Sequence, residues 1–259
     1  GDPAGPMYLV EHGSVGVVVG GSEVARIGAG EVIGEMAVID GGERSASCIA
    51  LEPSSLIEIS AEDFESLVRG HSSAALAILR TISERLRERN KAASSTQSDG
   101  PATCVDGEDA TALDDAPRAS VVPGAIERFA FLQDVELFAE LSSQEIAKIA
   151  ELATTVTRFA GESLFEQGDF GDSMYVIRSG SVSVRVNGSE VARLGSCDAI
   201  GEMALIDGLP RSASCVVVAS SVLLRISAND FMLLMSVQPE ISIGLMRSLS
   251  ARLRKSYQA

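Results

Sequence analysis

The sequence predicts a duplicated, mainly β fold with flanking helices, in which each copy forms an all-β barrel or jelly roll. The chain contains a long internal repeat, and each copy holds short segments in which apolar and polar residues alternate. Gly-rich turns separate these segments, as in antiparallel barrels and jelly rolls. Each copy then ends in an amphipathic segment with helical spacing.

The repeat keeps one register over a long stretch. Met174-Tyr175 repeats Met7-Tyr8 at a distance of 167 residues, and 7–68 aligns with 174–235 at that offset without a gap. About 35 of the 62 aligned positions are identical, far more than shared composition produces. Because solenoid repeats are much shorter, this period indicates a duplicated domain.

Strands are marked by alternation with a period of two residues. Apolar and polar residues alternate over 182–186, and Asn187-Gly188 suits the hairpin turn that follows, since both residues tolerate positive φ. The first copy repeats this pattern over 15–19, before Gly20-Gly21. Further strands are expected in the second copy at 212–218 and 221–226.

Helices are expected at the end of each copy and before the second one. Segments 74–89 and 241–255 carry apolar residues at near-helical spacing, with basic residues in their last turns. Residues 125–153 indicate helices that are broken at 141–143. We expect one helix to start at Ser143 with Glu145 nearby, without a strict capping box.

Composition divides the chain into a first domain at 1–90, a flexible linker at 91–124 and a second domain at 125–259. The linker is rich in Ala, Ser, Thr, Asp, Gly and Pro and has almost no large apolar residue. Gly168 aligns with Gly1, so 125–167 has no counterpart in the first copy. We therefore expect the first domain to be N-terminally truncated, without the opening helices and the first strand.

Charge and cysteine usage exclude several classes of function. The chain has 21 Lys and Arg against 36 Asp and Glu, a net charge of −15, so we expect no direct binding of nucleic acid. No apolar run reaches the roughly 18 residues of a membrane helix, so membrane contact is expected only through a fused region. Cys48, Cys104, Cys197 and Cys215 show neither metal spacing nor a nucleophile context. No metal site and no catalytic residue are predicted, and reduced cysteines suggest a cytoplasmic protein, with Cys48 and Cys215 in the core.

The densest identity between the copies falls on one segment, at 34–47 and 201–214. Both copies read Gly-Glu-Met-Ala, then Ile-Asp-Gly, then Arg-Ser-Ala-Ser, which suggests a short helix, a turn and a strand. Free amides at a helix start favour an anion, small residues admit a ligand to the backbone, and Arg offers a forked charge to phosphate. Glu accepts a hydrogen bond from a hydroxyl, so the pair suits a sugar phosphate. A surface ion pair is the alternative for one copy, but two copies in the same setting favour a ligand site.

Both segments resemble the phosphate-binding cassette of the cyclic nucleotide-binding domain family, found in bacterial catabolite activators, cyclic-nucleotide-dependent kinases and gated channels. The upstream residues are similar as well: 165–182 follows the family's first strands and turns, and 135–142 its helical opening. The resemblance covers nearly everything outside the linker. It implies two β jelly-roll (double-stranded β-helix) domains.

The resemblance also implies a role for each cassette residue. Glu35 and Glu202 would bind the ribose 2′-hydroxyl, and Arg44 and Arg211 the cyclic phosphate. The implied ligand contacts are Gly34, Glu35, Met36, Ala37, Arg44 and Ser45 in the first domain, and Gly201, Glu202, Met203, Ala204, Arg211 and Ser212 in the second.

Ligand preference is implied by the residue after the arginine. Family members with Thr there favour cyclic GMP (cGMP) and those with Ala favour cyclic AMP (cAMP), whereas Ser45 and Ser212 stand here. We expect cAMP, with cGMP as the alternative. Base contacts are expected from the closing helices, near Asn90 and Ser256-Tyr257.

These implications describe a regulatory module with two cyclic nucleotide sites, no catalytic activity and no cofactor besides the ligand. The closing helix would swing towards the barrel as a lid and shift an existing equilibrium. The output would pass to a partner protein or a fused effector domain. Three alternatives stay open: an inhibitor like a kinase regulatory subunit, the sensor portion of a larger transporter, channel or enzyme, and a degenerate scaffold without ligand.

Overall fold

The computed structural model describes residues 1–96 and 124–258, and these fold as two units that follow the sequence repeat. Each unit packs antiparallel strands against helices, so the predicted jelly-roll class with flanking helices is confirmed. The following bounds define the elements that position the site.

Unit one, residues 1–96, contains six short strands and three helices. The strands are β1 (Met7–His12), β2 (Val15–Val19), β3 (Ser22–Ile27), β4 (Val32–Ile33), β5 (Ser47–Ala50) and β6 (Ser55–Ile59). The helices are α1 (Glu35–Asp40), α2 (Ala61–Gly70) and α3 (Ser72–Thr96). The strand orders are β4-β1-β6 in one sheet and β3-β2-β5 in the other.

Unit two, residues 124–258, repeats this plan with longer strands and additional helices. The strands are β7 (Thr154–Arg158), β8 (Ser163–Phe165), β9 (Ser173–Val186), β10 (Ser189–Leu194), β11 (Ala199–Ile200) and β12 (Ser214–Ser227). The helices are α4 (Ala125–Leu132), α5 (Ser143–Leu152), α6 (Glu202–Asp207), α7 (Ala228–Val237) and α8 (Pro239–Gln258), with a 3-10 turn at Glu136–Phe138. The sheet order is β10-β9-β12-β7, and β11 and β8 pair with β9 and β12.

The long helices α3 and α8 close the two units and pack against each other. Their apolar faces join one core that also receives residues of both units. Among its buried members are Leu79, Ile82 and Leu86 of α3, and Met246, Leu249 and Leu253 of α8. In addition α3 contacts α6 and α8 contacts α1, so each closing helix reaches the opposite unit.

Helix α3 extends further than the sequence pattern indicates. It continues to Thr96, six residues past the predicted end of the first domain at 90, because 91–96 contains no Gly or Pro. The rest of the predicted linker, 97–123, lies outside the described residues. No helix in the described ranges combines the length and the apolar character needed to cross a membrane.

Helix α5 begins at Ser143, as the sequence predicts, but its cap differs from the expectation. Ser142 is its N-cap, and the Ser142 hydroxyl accepts a hydrogen bond from the Glu145 amide at 3.4 Å. The Glu145 carboxylate accepts in return from the Ser142 amide at 2.7 Å. This is a strict capping box, so the expectation of a helix start without one is wrong; the Ser-x-x-Glu spacing runs from Ser142 to Glu145.

The two units differ at the edge formed by β5 and β6. In unit two, β7 and β8 pair with β12, whereas no strand in the described part of unit one pairs with the equivalent edge. Leu56 and Ile57 are therefore 43% and 46% exposed, while their counterparts in β12 are fully buried. Cys215 is buried but Cys48 is exposed, so the expectation of a core position is wrong for Cys48. The burial of Cys215 depends on β8, which pairs with β12 at this residue and lies outside the repeated segment 174–235.

Candidate functional site

The cassettes are the segments 34–47 (cassette one) and 201–214 (cassette two), and each begins at a glycine with left-handed backbone. The φ angles of Gly34 and Gly201 are 76° and 81°, at the N-caps of α1 and α6. A Cβ atom at either position would lie 2.4 Å from Nη1 of Arg44 or Arg211. Glycine is thus required both by conformation and by the close approach of the arginine.

Arg211 is the cation of cassette two, and 4% of its surface is exposed. Its Nη1 donates to the Gly201 carbonyl at 2.8 Å and its Nη2 to the Ser173 carbonyl at 2.5 Å. The guanidinium lies 4.0 Å from the ring centroid of Phe165. Burial lowers the pKa of Arg211, and its buried Nε has no hydrogen-bond partner among the described residues. A buried cation with an unsatisfied N–H is suited to an anionic ligand.

Arg44 of cassette one is held in the same way. Its Nη1 donates to the Gly34 carbonyl at 3.0 Å, and its Nη2 donates to the Pro6 carbonyl at 2.6 Å. Next to it, the Ser45 hydroxyl donates to the sulfur of Met36 at 3.7 Å. Each arginine therefore ties the start of a short cassette helix to the start of a strand, since Pro6 directly precedes β1 and Ser173 is the first residue of β9.

The two sites differ in charge beside the arginine. Asp172 Oδ1 lies 3.8 Å from Arg211 Nη2, and the aligned position in unit one is Gly5. A hydrogen bond from the Ser173 hydroxyl, followed by Arg225 and Arg211, lowers the pKa of Asp172. Site two thus has an additional carboxylate, that of Asp172, beside Arg211, the arginine expected to bind phosphate.

The cassette glutamates are buried and paired with arginines of the closing helices. Glu35, 1% exposed, forms an ion pair with Arg85 Nη1, and Arg85 Nη2 donates to the Val32 carbonyl at 2.8 Å. In unit two Arg252 Nη1 donates to Glu202 Oε1 at 2.9 Å. Burial raises the pKa of Glu35 from 4.5, and the positive charge of Arg85 opposes this shift.

Arg85 and Arg252 were not among the predicted site residues. Each lies fifty positions after the glutamate that it contacts, so no local motif joins them. A signal exists in the repeat, because Arg85-Leu86-Arg87 recurs as Arg252-Leu253-Arg254 at the same offset of 167. The repeat therefore extends into the closing helices and marks Arg85 and Arg252 as equivalent positions.

A cavity of about 770 Å³ lies over cassette one. Its lining includes all six residues predicted for the first site, namely Gly34, Glu35, Met36, Ala37, Arg44 and Ser45. Arg85 and Cys48 also face it, and Tyr257 reaches it from the end of α8 in the other unit. The six predicted residues are therefore brought together in one concave site.

The expected base-contact region is only partly at the cavity. Tyr257 lines the cavity, and the guanidinium carbon of Arg89 lies 4.7 Å from the centroid of the Tyr257 ring. Asn90 and Ser256 do not line this cavity. The Ser256 carbonyl instead accepts a hydrogen bond from Arg89 Nη2 at 2.5 Å.

In unit two the predicted residues occupy equivalent positions around α6. Glu202, Ala204 and Arg211 are buried, whereas Met203 is half-buried and Ser212 is exposed. Gly171 approaches Ala204 so closely that a Cβ atom there would lie 2.7 Å from the Ala204 Cβ. Both sites therefore combine an arginine, which can bind an anion, with a glutamate, which can accept a hydrogen bond from a hydroxyl. Within the described ranges, no group of three or more His, Cys, Asp or Glu is placed to hold a metal ion.

Comparison with known proteins identifies a family and several relatives. A family model described as "Cyclic nucleotide-binding domain" matches residues 1–71 and 158–237. A cAMP-dependent protein kinase regulatory subunit of Debaryomyces hansenii is 25% identical over 232 residues, which cover 89% of this chain and 41% of that protein. An uncharacterized NTE family protein of Mycobacterium tuberculosis is 32% identical over 132 residues, which cover 49% of this chain and 22% of that protein.

Among solved structures, the N-terminal domain of a transcriptional regulator from Streptomyces coelicolor is similar to half of the chain. It is 33% identical, and the match covers 50% of this chain and 96% of that one with a TM-score of 0.45. The chain spans less than half the length of the two curated relatives named above.

Proposed function

This chain belongs to the cyclic nucleotide-binding domain family, and we propose that it is a regulatory module that binds cAMP at two sites. One observation carries the proposal: each cassette places a buried glutamate and an arginine around a short helix, in the same geometry twice. The D. hansenii relative, named as a cAMP-dependent kinase regulatory subunit, supports cAMP as the ligand.

In this proposal the cassette residues divide the ligand between them. Arg44 and Arg211 pair with the cyclic phosphate, and Glu35 and Glu202 accept a hydrogen bond from the ribose 2′-hydroxyl. The remaining residues of both predicted sets supply backbone amides and close approach around the phosphate. cGMP is the alternative ligand, because Ser45 and its counterpart bear a hydroxyl. No cofactor besides the ligand takes part.

Ligand binding at each site acts on the rest of the protein through the closing helix, α3 or α8. Arg85 of α3 contacts the carboxylate that would receive the ribose, and Arg252 of α8 does the same in unit two. A ligand whose hydroxyl binds this carboxylate shares it with the arginine of the closing helix. The preferred position of that helix then changes, and the equilibrium between conformations shifts. The module has no catalysis of its own and acts on a partner or a fused effector domain.

A kinase-regulatory role is the second candidate. The alignment with the D. hansenii relative extends over 89% of this chain and therefore includes both units. If this role holds, the chain inhibits the catalytic subunit of a cAMP-dependent protein kinase, and cAMP relieves the inhibition. A kinase assay with and without cAMP decides this, and unchanged kinase activity would reject it.

Titration calorimetry of the full chain tests the ligand proposal. We expect saturable binding of cAMP, weaker binding of cGMP, and much weaker binding of acyclic AMP, whose phosphate has a different charge and shape. A folded chain that binds neither cyclic nucleotide at millimolar concentration would overturn the proposal and favour the ligand-free scaffold.

Binding at site one is expected to weaken on acidification. Burial raises the pKa of Glu35 above 4.5, so Glu35 becomes protonated at a higher pH than an ordinary glutamate as the pH falls. Protonation removes the negative charge that accepts the ribose hydroxyl and pairs with Arg85. Calorimetry on the Arg211→Ala chain, which isolates site one, should show affinity already falling at a pH above that at which an ordinary glutamate is protonated.

The Glu35→Gln variant is the control for this pH dependence. Its affinity at site one should be lower at neutral pH and should change little over the same range, because the titrating group is gone. A flat profile for the chain that retains Glu35 would contradict the raised pKa.

Cysteine labelling is expected to report occupancy of site one. Cys48 is exposed and lines the cavity, whereas Cys215 is buried and its burial raises the pKa of its thiol to about 12. Desolvation of the Cys48 thiol and the negative charge of Glu35 raise its pKa as well, so labelling is best done near pH 8.5. Peptide-resolved mass spectrometry should show maleimide on Cys48 and little on Cys215, and cAMP should slow the reaction of Cys48. Equal rates with and without saturating cAMP would place the ligand elsewhere.

A further inference from the structure

We propose that Arg87 and Arg254 couple the two sites, because each holds the cassette helix of the opposite unit. The proposal rests on the proposed function, since the coupling acts between two ligand sites. Both arginines lie on closing helices, outside the predicted cassettes, and neither contacts the glutamate of its own site.

Arg87 on α3 grips the C-terminal end of α6. Its Nε and Nη2 donate to the two carboxylate oxygens of Asp207 at 2.5 and 2.9 Å, and its Nη1 donates to the Pro210 carbonyl at 2.9 Å. The Ser83 hydroxyl also donates to Asp207, at 3.0 Å. The side chains of Arg87 and Asp207 are 7% and 0% exposed, so water does not substitute for this contact.

Arg254 on α8 makes the equivalent contact with α1. Its Nε and Nη2 donate to the two carboxylate oxygens of Asp40 at 3.0 and 2.9 Å, and its Nη1 donates to the Glu43 carbonyl at 2.6 Å. Arg254, Asp40 and Glu43 differ from Arg87, Asp207 and Pro210 by the same offset of 167. The crossing contact is therefore present twice, as a consequence of the pseudo-twofold arrangement of the units.

Each closing helix contacts both sites through two arginines. Residues two apart on an α-helix lie about 200° apart around its axis, so they face nearly opposite sides. On α3, Arg85 faces Glu35 of its own site while Arg87 faces cassette two. On α8, Arg252 faces Glu202 of its own site while Arg254 faces cassette one.

This geometry predicts that a closing helix does not move at one site without acting on the other. A two-pronged arginine–carboxylate contact has a narrow geometric optimum, so a shift of α8 either carries α1 with it or breaks the contact. Occupancy of site two should thus alter cassette one through Arg254, and occupancy of site one should alter cassette two through Arg87. By linkage the coupling is the same in both directions.

Hydrogen–deuterium exchange on the full chain tests this coupling. The Arg44→Ala variant disables ligand binding at site one, and cAMP is then added to fill site two. We expect cAMP to change amide exchange in α6 and also, by about fivefold or more, in α1 of the empty site. In Arg44→Ala/Arg254→Gln the change in α1 should fall below about twofold, with the change in α6 retained. Some effect should remain, because Arg247 Nε still donates to the Ile39 carbonyl at 3.1 Å.

Lys255→Gln is the matched control on the same background. Lys255 neighbours Arg254 on α8 but pairs with Glu136 of its own unit on the surface, so its loss should leave the change in α1 intact. If Arg254→Gln lowers stability, Asp40→Asn breaks the same contact from the other side and should give the same loss of coupling.

The possible failures are distinguishable. If cAMP leaves α6 unchanged, site two does not bind the ligand and the proposed function fails. If α6 responds but α1 does not while Arg254 is present, the sites bind independently and the coupling proposal is overturned. If α1 still responds fully in both Arg254→Gln and Asp40→Asn, the crossing arginine is not the link.

Discussion

Replacing Arg211 by alanine is expected to weaken cAMP binding at site two by about 100-fold or more, because it leaves the cyclic phosphate without its buried cation. The change also removes two hydrogen bonds that anchor the cassette, to the Gly201 and Ser173 carbonyls. Calorimetric titration of the full chain with cAMP should then show one site that keeps its affinity and one site whose binding is lost or greatly weakened.

Two variants control this prediction. Arg193→Ala removes an exposed arginine that pairs with Glu190 in the same unit, and it should leave both sites unaffected. Arg211→Lys keeps the charge but not the fork, so its affinity should fall between those of the wild type and the alanine variant. A folded Arg211→Ala chain with both sites at wild-type affinity would contradict the phosphate role of Arg211.

Replacing Asp207 by asparagine is expected to lower the free energy of unfolding by roughly 3–5 kcal/mol. Asparagine keeps the shape of the side chain but leaves Arg87 as a buried charge without its counter-ion. Asp207 also accepts from the Ser83 hydroxyl and the Leu209 amide, and only part of these contacts survives in the amide. Urea denaturation followed by circular dichroism measures the loss.

Asp40→Asn is the matched comparison, because it breaks the same contact in the other unit. The Arg254 and Asp40 side chains are 21% and 18% exposed, so water solvates the stranded arginine and the loss should be smaller. Equal losses for the two variants, or a loss under about 1 kcal/mol for Asp207→Asn, would contradict the dependence on burial.

The cassettes were predictable because the repeat records them twice in one register. Gly34, Glu35 and Arg44 lie within eleven consecutive residues, and a short helix followed by a strand brings them together without help from distant segments. The same locality explains why β9 and β10 pair around Asn187-Gly188, where the hairpin is predicted. The expectation of two strands at 212–218 and 221–226 is wrong, because both segments belong to one continuous strand, β12 (Ser214–Ser227), that pairs with β9 over most of its length.

Contacts between the units were not predictable in this way. Arg87 and Asp207 are 120 residues apart, and nothing in the pattern of either copy indicates that α3 of one unit lies against α6 of the other. Tyr257 reaches site one for the same reason. Cys48 illustrates the reverse case, since it is exposed where Cys215 is buried although the four residues before each cysteine are identical. Burial of Cys215 depends on β8, which pairs with β12 in unit two and has no counterpart in the described part of unit one.

The pseudo-twofold packing gives the duplication a functional meaning within the proposal. Two copies that folded independently would be two separate sensors, whereas α3 and α8 share one core and exchange contacts with the opposite cassettes. A chain built in this way responds to its ligand as one unit, whose output depends on both sites.

The number of cAMP molecules bound per chain tests the central claim most directly. Equilibrium dialysis with labelled cAMP should give two per wild-type chain, one for Arg44→Ala, one for Arg211→Ala and none for the double variant. A wild-type value of one or zero in a folded chain would contradict the account, as would a double variant that still binds two.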